Sequence, residues 1–368
     1  MSKNLNIIPF VELIERSAEI SRSSSENDKS KVRGAVNDIA TKEIGAKFDW
    51  NFLEVSSALH CLDKYSTGTV SATTGDTALV FTGSVIPSNM KNAKIKISGN
   101  DVVYDFNYTT TSGGTVSPAV AGTKNITSQS FNLFKAVYSL APDFDRFPVK
   151  GGLILWQGGK KTIIPEKRHI QYYDEYSASP GTPTACRIVE NDTAGNPQVE
   201  LVPPPQYGIA MSYDYLKTMK PLRQTSMGTV TITSSQTAVV GSTDARFLEA
   251  TTGDYIRVDA NGTKADSEWY RIVAIANDSA LTIATVFAKS SVATATYVIS
   301  SVPEMPSMLH LAILHGAIRE LVGDQDDPMY AYHNVKMAEI LTDAKVRYVT
   351  RMDSVELDGD YKDYDFRR

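Results

Sequence analysis

Cysteine is nearly absent from this chain: its 368 residues include two, Cys61 and Cys186. They stand far apart with no second pair, so neither a disulfide framework nor a zinc ribbon can be written, and two buried free thiols are expected. A basic excess is missing as well. Lys and Arg total 37 against 42 Asp and Glu, giving a formal charge of −5, which argues against a protein that grips nucleic-acid phosphates over a basic face. Long apolar runs are missing too. The opening MSKNLNIIPFVELIER holds a short apolar patch broken by Pro9 and Glu12, too short for a secretory signal or a membrane span. The product is therefore expected to stay soluble inside the cell until it is assembled. Asn-x-Ser/Thr triplets at Asn107, Asn125, Asn191, Asn261 and Asn277 are then what Thr-rich loops produce by chance.

Apolar residues make up 42% and charged residues 21%, so a core is available, and the length suggests two or three domains because one core seldom grows past roughly 250–300 residues. Within that length a phrase repeats. Gly68 to Val80, GTVSATTGDTALV, returns 160 positions later as Gly228 to Val240, GTVTITSSQTAVV, with seven identities in thirteen and no gap. Both copies run on in Thr, Ser, Val and Tyr, residues that favour a pleated surface. Repeated β-modules suit a protein that builds contact surface, and the chain reads first as an assembly part.

Helical periodicity is confined to the two ends. From Pro9 to 22, Phe10, Leu13, Ile14 and Ser17 fall on one side. From Lys31 to Phe48 a second helix carries Val32, Val36, Ile39 and Glu43 along one stripe, leading to the apolar anchor Trp50, Phe52 and Leu53. Near the other end, SMLHLAILHGAIRELVG follows Pro303 and Pro306 and stops at Gly323, which predicts a central, buried helix. Beyond the Asp324–Pro328 loop, a helix from about Tyr330 to Arg351 puts Met337, Ile340, Leu341, Ala344 and Tyr348 on one face, with an Asp343–Arg347 pair on the other.

The stretch 66–302 between them reads as strands. Tyr207, Ile209, Met211, Tyr213 and Tyr215 alternate with Gly208, Ala210, Ser212 and Asp214. The second module shows four strands after its opening one, a small sandwich or barrel. The first is longer and less regular, with strands near Lys94–Ile97, Val102–Phe106 and Phe131–Tyr138. The whole predicts an α+β fold: a helical bundle formed from both termini (1–65 with 303–356), two inserted, repeated β-sandwich or barrel modules (66–140 and 228–302), a central β region (141–227) and an extended tail (357–368).

Candidate chemistry is thin. His310 and His315 are five apart with no intervening Glu at metalloprotease spacing, so they do not share a face and read as core or interface histidines. Asp324, Asp326 and Asp327 lack the Gly and closing Glu of a calcium loop and read as a turn. Asp143, Asp145 and Arg146 offer adjacency where a glycosidase needs carboxylates facing across a cleft, and read as a turn after a strand. Gly158-Gly159-Lys160-Lys161 lacks the first glycine of a phosphate-binding loop and fits a hairpin. Trp156 and Trp269 are candidates for stacking on sugars, Trp269 more naturally a core residue. No catalytic residue, cofactor or metal is expected.

Several phrases resemble, in order, the head-to-tail adaptor proteins of tailed bacteriophages and the related tail-tube A or gatekeeper proteins of short-tailed phages. They are Trp50-Asn51-Phe52-Leu53, then Tyr138-Ser139-Leu140-Ala141-Pro142-Asp143-Phe144 with Arg146, Pro203-Pro204-Pro205 before the strand around Tyr213, and Pro303-Glu304-Met305-Pro306 before His315-Gly316-Ala317. Together they span most of the chain. The resemblance implies a non-enzymatic virion protein that assembles with itself, commonly as twelve copies, into a ring below the portal at the head's exit. The helical bundle would then contact the portal or neighbouring subunits, the β-modules would point to the tail or outward, a downstream tail or neck protein would attach, and DNA would pass without sequence-specific binding. No membrane is expected among its partners. The β-modules are larger than a minimal adaptor carries, which leaves adaptor and tail-tube component both open, with host-surface carbohydrate recognition as a reading of another class.

The last segment, LDGDYKDYDFRR, alternates acids with Tyr361, Tyr364 and Phe366 and ends in Arg367 and Arg368. It is too poor in aliphatic residues to form a core, while aromatic and Arg side chains are favoured interface anchors. These five residues are expected to dock on a partner subunit, the portal first.

Overall fold

The computed structural model describes residues 7–21, 26–148, 151–157, 159–167, 180–259 and 268–349. The chain divides into two compact units, Leu53–Thr218 and Met1–Phe52 with Met219–Arg368. The architecture is α+β, dominated by strands, with two barrel-like sheets and few helices.

In the unit Leu53–Thr218, strand β1 (Glu54–His60) precedes the first barrel, so a strand occupies part of the stretch the sequence assigned to the helical domain. The barrel comprises β2 (Thr69–Ala72), β3 (Ala78–Thr82), β4 (Ala93–Ile97), β5 (Val103–Thr110), β6 (Gly113–Ser117), β7 (Ile126–Gln129) and β8 (Phe131–Phe134), in the order β7-β2-β3-β6-β5-β4-β8. The edge strands β7 and β8 are consecutive in the chain, separated by Ser130, so one run of backbone serves both edges and the sheet is barrel-like. Alternation fills the interior: Phe81 meets Phe106 and Phe131 edge-on at 5.8 and 5.0 Å between ring centres. A Cβ at Gly114 would run into the Phe106 ring, which is why the hairpin strand opposite that ring needs glycine.

The rest of this unit forms two smaller sheets. One has the order β1-β15-β11-β12, with β10 also on β15, and the other the order β13-β14-β9. Their members are β9 (Val137–Ser139), β10 (Phe144–Arg146), β11 (Gly152–Gln157), β12 (Lys160–Pro165), β13 (Ala185–Val189), β14 (Gln198–Val202) and β15 (Ala210–Lys217). Met211, Tyr213 and Tyr215 are buried as the alternation required, but Tyr207 is exposed and precedes the strand. Tyr213 and Tyr215 crowd against Phe144, and their hydroxyls are satisfied: Ala141 N–H donates to Tyr213 Oη at 2.9 Å, and Tyr215 Oη donates to Asp143 at 2.6 Å.

The other unit holds the helices and the second barrel. Helix α1 (Phe10–Ile20) buries Phe10, Val11, Leu13, Ile14 and Ser17. Helix α2 (Glu26–Asp38) passes into a π-helical segment, Ile39–Gly45, in which Ala46 N–H reaches back five residues to Thr41 O at 3.0 Å. The sequence reading carried one α-helical stripe through this point. The wider turn sends Glu43 out of that stripe to pair with Arg319 at 2.7 Å, while Ile39, Ala40 and Ile44 stay buried. Helix α3 (Ser307–Val322) ends on Gly323 at φ 66°, and α4 (Pro328–Tyr348) starts two residues earlier than its periodicity suggested, with Asp327 capping Met329 N–H at 2.7 Å. Helix α3 packs on α1, α2 and α4. A Cβ at Gly316 would come within 2.7 Å of Ile39 and 2.9 Å of Met337 Sδ, so glycine there sets the close approach. Trp50 is fully buried, donates from Nε1 to Ile44 O at 2.7 Å, and bridges by its backbone to Val349.

The second barrel comprises β17 (Val230–Ile232), β18 (Ala238–Gly241), β19 (Tyr255–Asp259), β20 (Trp269–Asn277), β21 (Ala280–Ile283) and β22 (Val292–Ser300), in the order β22-β17-β18-β21-β20-β19 with β22 pairing β19 as well. The short β16 (Gln224–Thr225) adds to β22. This is the first barrel's strand order again, with the single β22 in the place of β7 and β8. The apparent irregularity of the first copy is that one break. Register repeats too: Val70 faces Phe81 and Ser71 faces Val80, while Val230 faces Gly241 and Thr231 faces Val240. Gly68 and Gly228 sit at φ 89° and 83°, and a Cβ on either would press on backbone at 2.5 Å (Thr82 O) or 2.8 Å (Ala245 N).

Candidate functional site

Ionisable side chains drawn inward by these elements are spent on joining them. Glu200 of β14, almost fully buried, pairs with Arg187 of β13 and with Lys94 of β4 at 3.5 Å. Arg257 of β19 is buried between two hydrogen bonds to Glu15 of α1, both 3.3 Å, Asp259 at 3.4 Å, and the Trp269 ring, whose centre lies 4.9 Å from the guanidinium carbon. Trp269 is thus half-buried under a cation and serves packing. Sequence reasoning passed over Glu200 and Arg257. The available signal was a lone charge inside an otherwise apolar strand, as in Tyr255-Ile256-Arg257-Val258.

The histidines separate as the spacing required. His310 is buried, accepts Ile8 N–H at Nδ1 (2.9 Å), and lies 3.2 Å from Met305 O through Nε2. Both ring nitrogens are occupied, and burial lowers its pKa. His315 instead meets His333 of α4, Nδ1 to Nδ1 at 2.8 Å, with Tyr332 edge-on to both rings. His333 was missed because its partner lies on another helix. Among the described residues no three His, Cys, Asp or Glu side chains gather as a metal ligand set.

Asp324 and Asp327 shape the turn and cap before α4, with Asp326 N–H donating to Asp324 at 3.1 Å. Asp143 is bound by Tyr215, whereas Asp145 pairs with Arg146 at 2.7 Å, so the two carboxylates have different partners and form no acid pair. Lys160 and Lys161 open β12 of a β11–β12 hairpin, Lys161 facing Trp156, and Gly159 has φ 77°. Cys61 and Cys186 are buried free thiols pushed up to about 12 by burial, which leaves them protonated and unreactive at neutral pH. Tyr361, Tyr364, Phe366, Arg367 and Arg368 lie outside the described residues.

One cleft of about 650 Å³ opens beside α2 and the second barrel, lined by Arg33, Asn37, Arg223, Thr251 and Asp254. It carries both signs of charge. Burial raises the Asp254 carboxyl, which accepts Thr251 N–H at 2.8 Å. Outside this cleft, Trp156 is 61% exposed, and each barrel carries an exposed valine, Val80 on β3 and Val240 on β18. Among the described residues no helix is long and apolar enough to cross a membrane.

No family model and no curated protein matches the chain. Among solved structures, translation elongation factor SelB from Methanococcus maripaludis, in complex with the GTP analogue GPPNHP, matches at 11% identity and a TM-score of 0.15. The match covers 68% of this chain and 62% of that one, so the chain spans less than two thirds of its length. Superposition at that score carries no argument about fold or function.

Proposed function

We propose that this chain is a structural, non-enzymatic virion subunit: a head-to-tail connector of a tailed bacteriophage, assembled as a ring of its own copies below the portal, giving DNA a passage and the tail an attachment site. The observation that carries it is the doubled barrel, one chain presenting two closed modules of the same strand order and register while its buried charges are used to hold elements together. In this reading α1 to α4 act as one helical bundle supplied by both termini, and it meets the portal or neighbouring subunits. A tail-tube or gatekeeper position in the same assembly uses the same parts. Tyr361, Tyr364, Phe366, Arg367 and Arg368 anchor the tail on the portal. Assembly takes place in the host cytoplasm and the product resides at the head–tail interface of the virion.

The test is co-sedimentation of the full chain with a portal protein, with and without residues 357–368. Joint sedimentation that weakens on truncation is expected; failure of the full chain to join any portal contradicts the connector, and joining unaffected by truncation contradicts the docking role of the tail. A second reading, host carbohydrate recognition, is favoured by exposed Trp156 beside Lys161. Binding to a glycan array that Trp156→Ala abolishes would support it.

A further inference from the structure

We propose that the outer faces of the two barrels are matching self-association surfaces, the first barrel of one copy packing on the second barrel of the next; this rests on the reading of the chain as a self-assembling subunit. Folding accounts for several of the seven identities in the repeated phrase. Gly68 and Gly228 are held at positive φ, Val70 and Val230 are core residues, and the Thr73 and Thr233 carbonyls accept the turn hydrogen bonds from Asp76 and Gln236, both 3.1 Å.

It does not account for Ala78 and Ala238, or for Val80 and Val240. All four are exposed, the two valines at 59% and 56%. On the same strands two of the three buried pairs in the phrase differ between copies, Ala72 against Ile232 and Leu79 against Val239, while Val70 and Val230 agree. The interiors are packed differently while an exposed apolar pair is the same in both. A surface that meets a common shape asks for that pattern, and a core does not.

The faces also suit each other. Val80 lies between Ser71 and Gly113, and Ala78 beside Thr115; Val240 lies between Thr231 and Ala280, and Ala238 beside Thr282. Neither centre holds a charge or a long side chain, so two faces can close without burying an unpaired ion. Flanking strands carry opposite charges, Asp105 on β5 and Arg271 on β20, both exposed and neither in an ion pair or side-chain hydrogen bond among the described residues. Lys94, the cross-strand neighbour of Asp105, is turned to Glu200. Unlike rims favour first-on-second pairing over pairing of like barrels. Such a contact is heterologous and repeats from copy to copy, closing as a ring where the rotation allows, whereas like-on-like contact stops at a pair.

The test uses full-length chains with Val80→Cys or Val240→Cys, since Cys61 and Cys186 are buried and give a silent background. Under mild oxidation, an equal mixture of the two variants is expected to give several-fold more disulfide-linked dimer than either alone, and the doubly substituted chain a ladder of multimers. Dimers from the single variants only, or a disulfide closed within one doubly substituted chain, would overturn the proposal. In parallel, Val80→Asp with Val240→Asp is expected to shift sedimentation to monomer at an unchanged melting temperature; unchanged oligomers would overturn it. Rings that form without the mixed dimer defeat this contact alone, whereas a wild-type chain that never self-associates defeats the proposed function with it.

Discussion

Glu200 shows how much of this fold depends on single side chains in special surroundings. Its carboxylate is buried against Arg187 and Lys94, and removing one member of a buried ion cluster leaves uncompensated charge, a cost of about 3–5 kcal/mol. Glu200→Ala is expected to lose that much in denaturant unfolding, whereas Asp343→Ala, which breaks an exposed pair with Arg347 on α4, is expected to lose less than about 1 kcal/mol. Equal losses would show that Glu200 is not held as described. The His315–His333 pair makes a pH prediction. Burial depresses both, and the nearby His333 and Lys336 charges depress His315 further. With Nδ1 atoms 2.8 Å apart, one proton is shared and two imidazolium ions do not fit. The folded state therefore keeps these rings neutral while the unfolded chain takes up protons as pH falls through about 6.5. Stability is full above that pH and declines below it. Melting temperature should fall from about pH 7.5 to about pH 5, with a smaller fall in His315→Gln combined with His333→Gln; an unchanged profile in that variant contradicts the assignment.

At the scale of elements, Gly316 of α3 and Gly34 of α2 separate two uses of helical glycine. A Cβ at Gly316 collides with Ile39 and Met337, but one at Gly34 meets nothing within 4 Å. Gly316→Ala is expected to cost about 1–3 kcal/mol by overpacking, and Gly34→Ala to gain about 0.5–1 kcal/mol from helix propensity; thermal melts of the two variants check both signs. The same elements show what the sequence made legible. Helices α1 and α3 announced themselves through period 3.6 and their Pro and Gly boundaries, and β15 through the alternation of Met211, Tyr213 and Tyr215. The repeated phrase located both barrels. Local periodicity says nothing of closure, though, because whether β22 pairs β17 and β19 together is decided by strands far apart in the chain. The π-helical segment was hidden since Ile39 and Glu43 fit an α-helical stripe on paper, and the change of pitch appears only in the hydrogen bonds. Arg187 and Lys94 beside Glu200, Glu15 beside Arg257 and His333 beside His315 were hidden because each sits on a different element from the residue it meets.

For the whole molecule, the account rests on repetition at two levels, a doubled barrel within the chain and the proposed ring of chains. A net charge of −5 per chain multiplies around such a ring, and acids lining its bore would repel passing DNA, which suits a channel that must not hold its cargo. Lumen-facing Lys and Arg outnumbering Asp and Glu in an assembled structure would contradict that part. The most direct measurement of the central claim is electron microscopy of the purified full-length chain, alone and mixed with a portal protein. The account predicts closed rings with an axial opening that stack coaxially on the portal; separate single copies in both samples would contradict it.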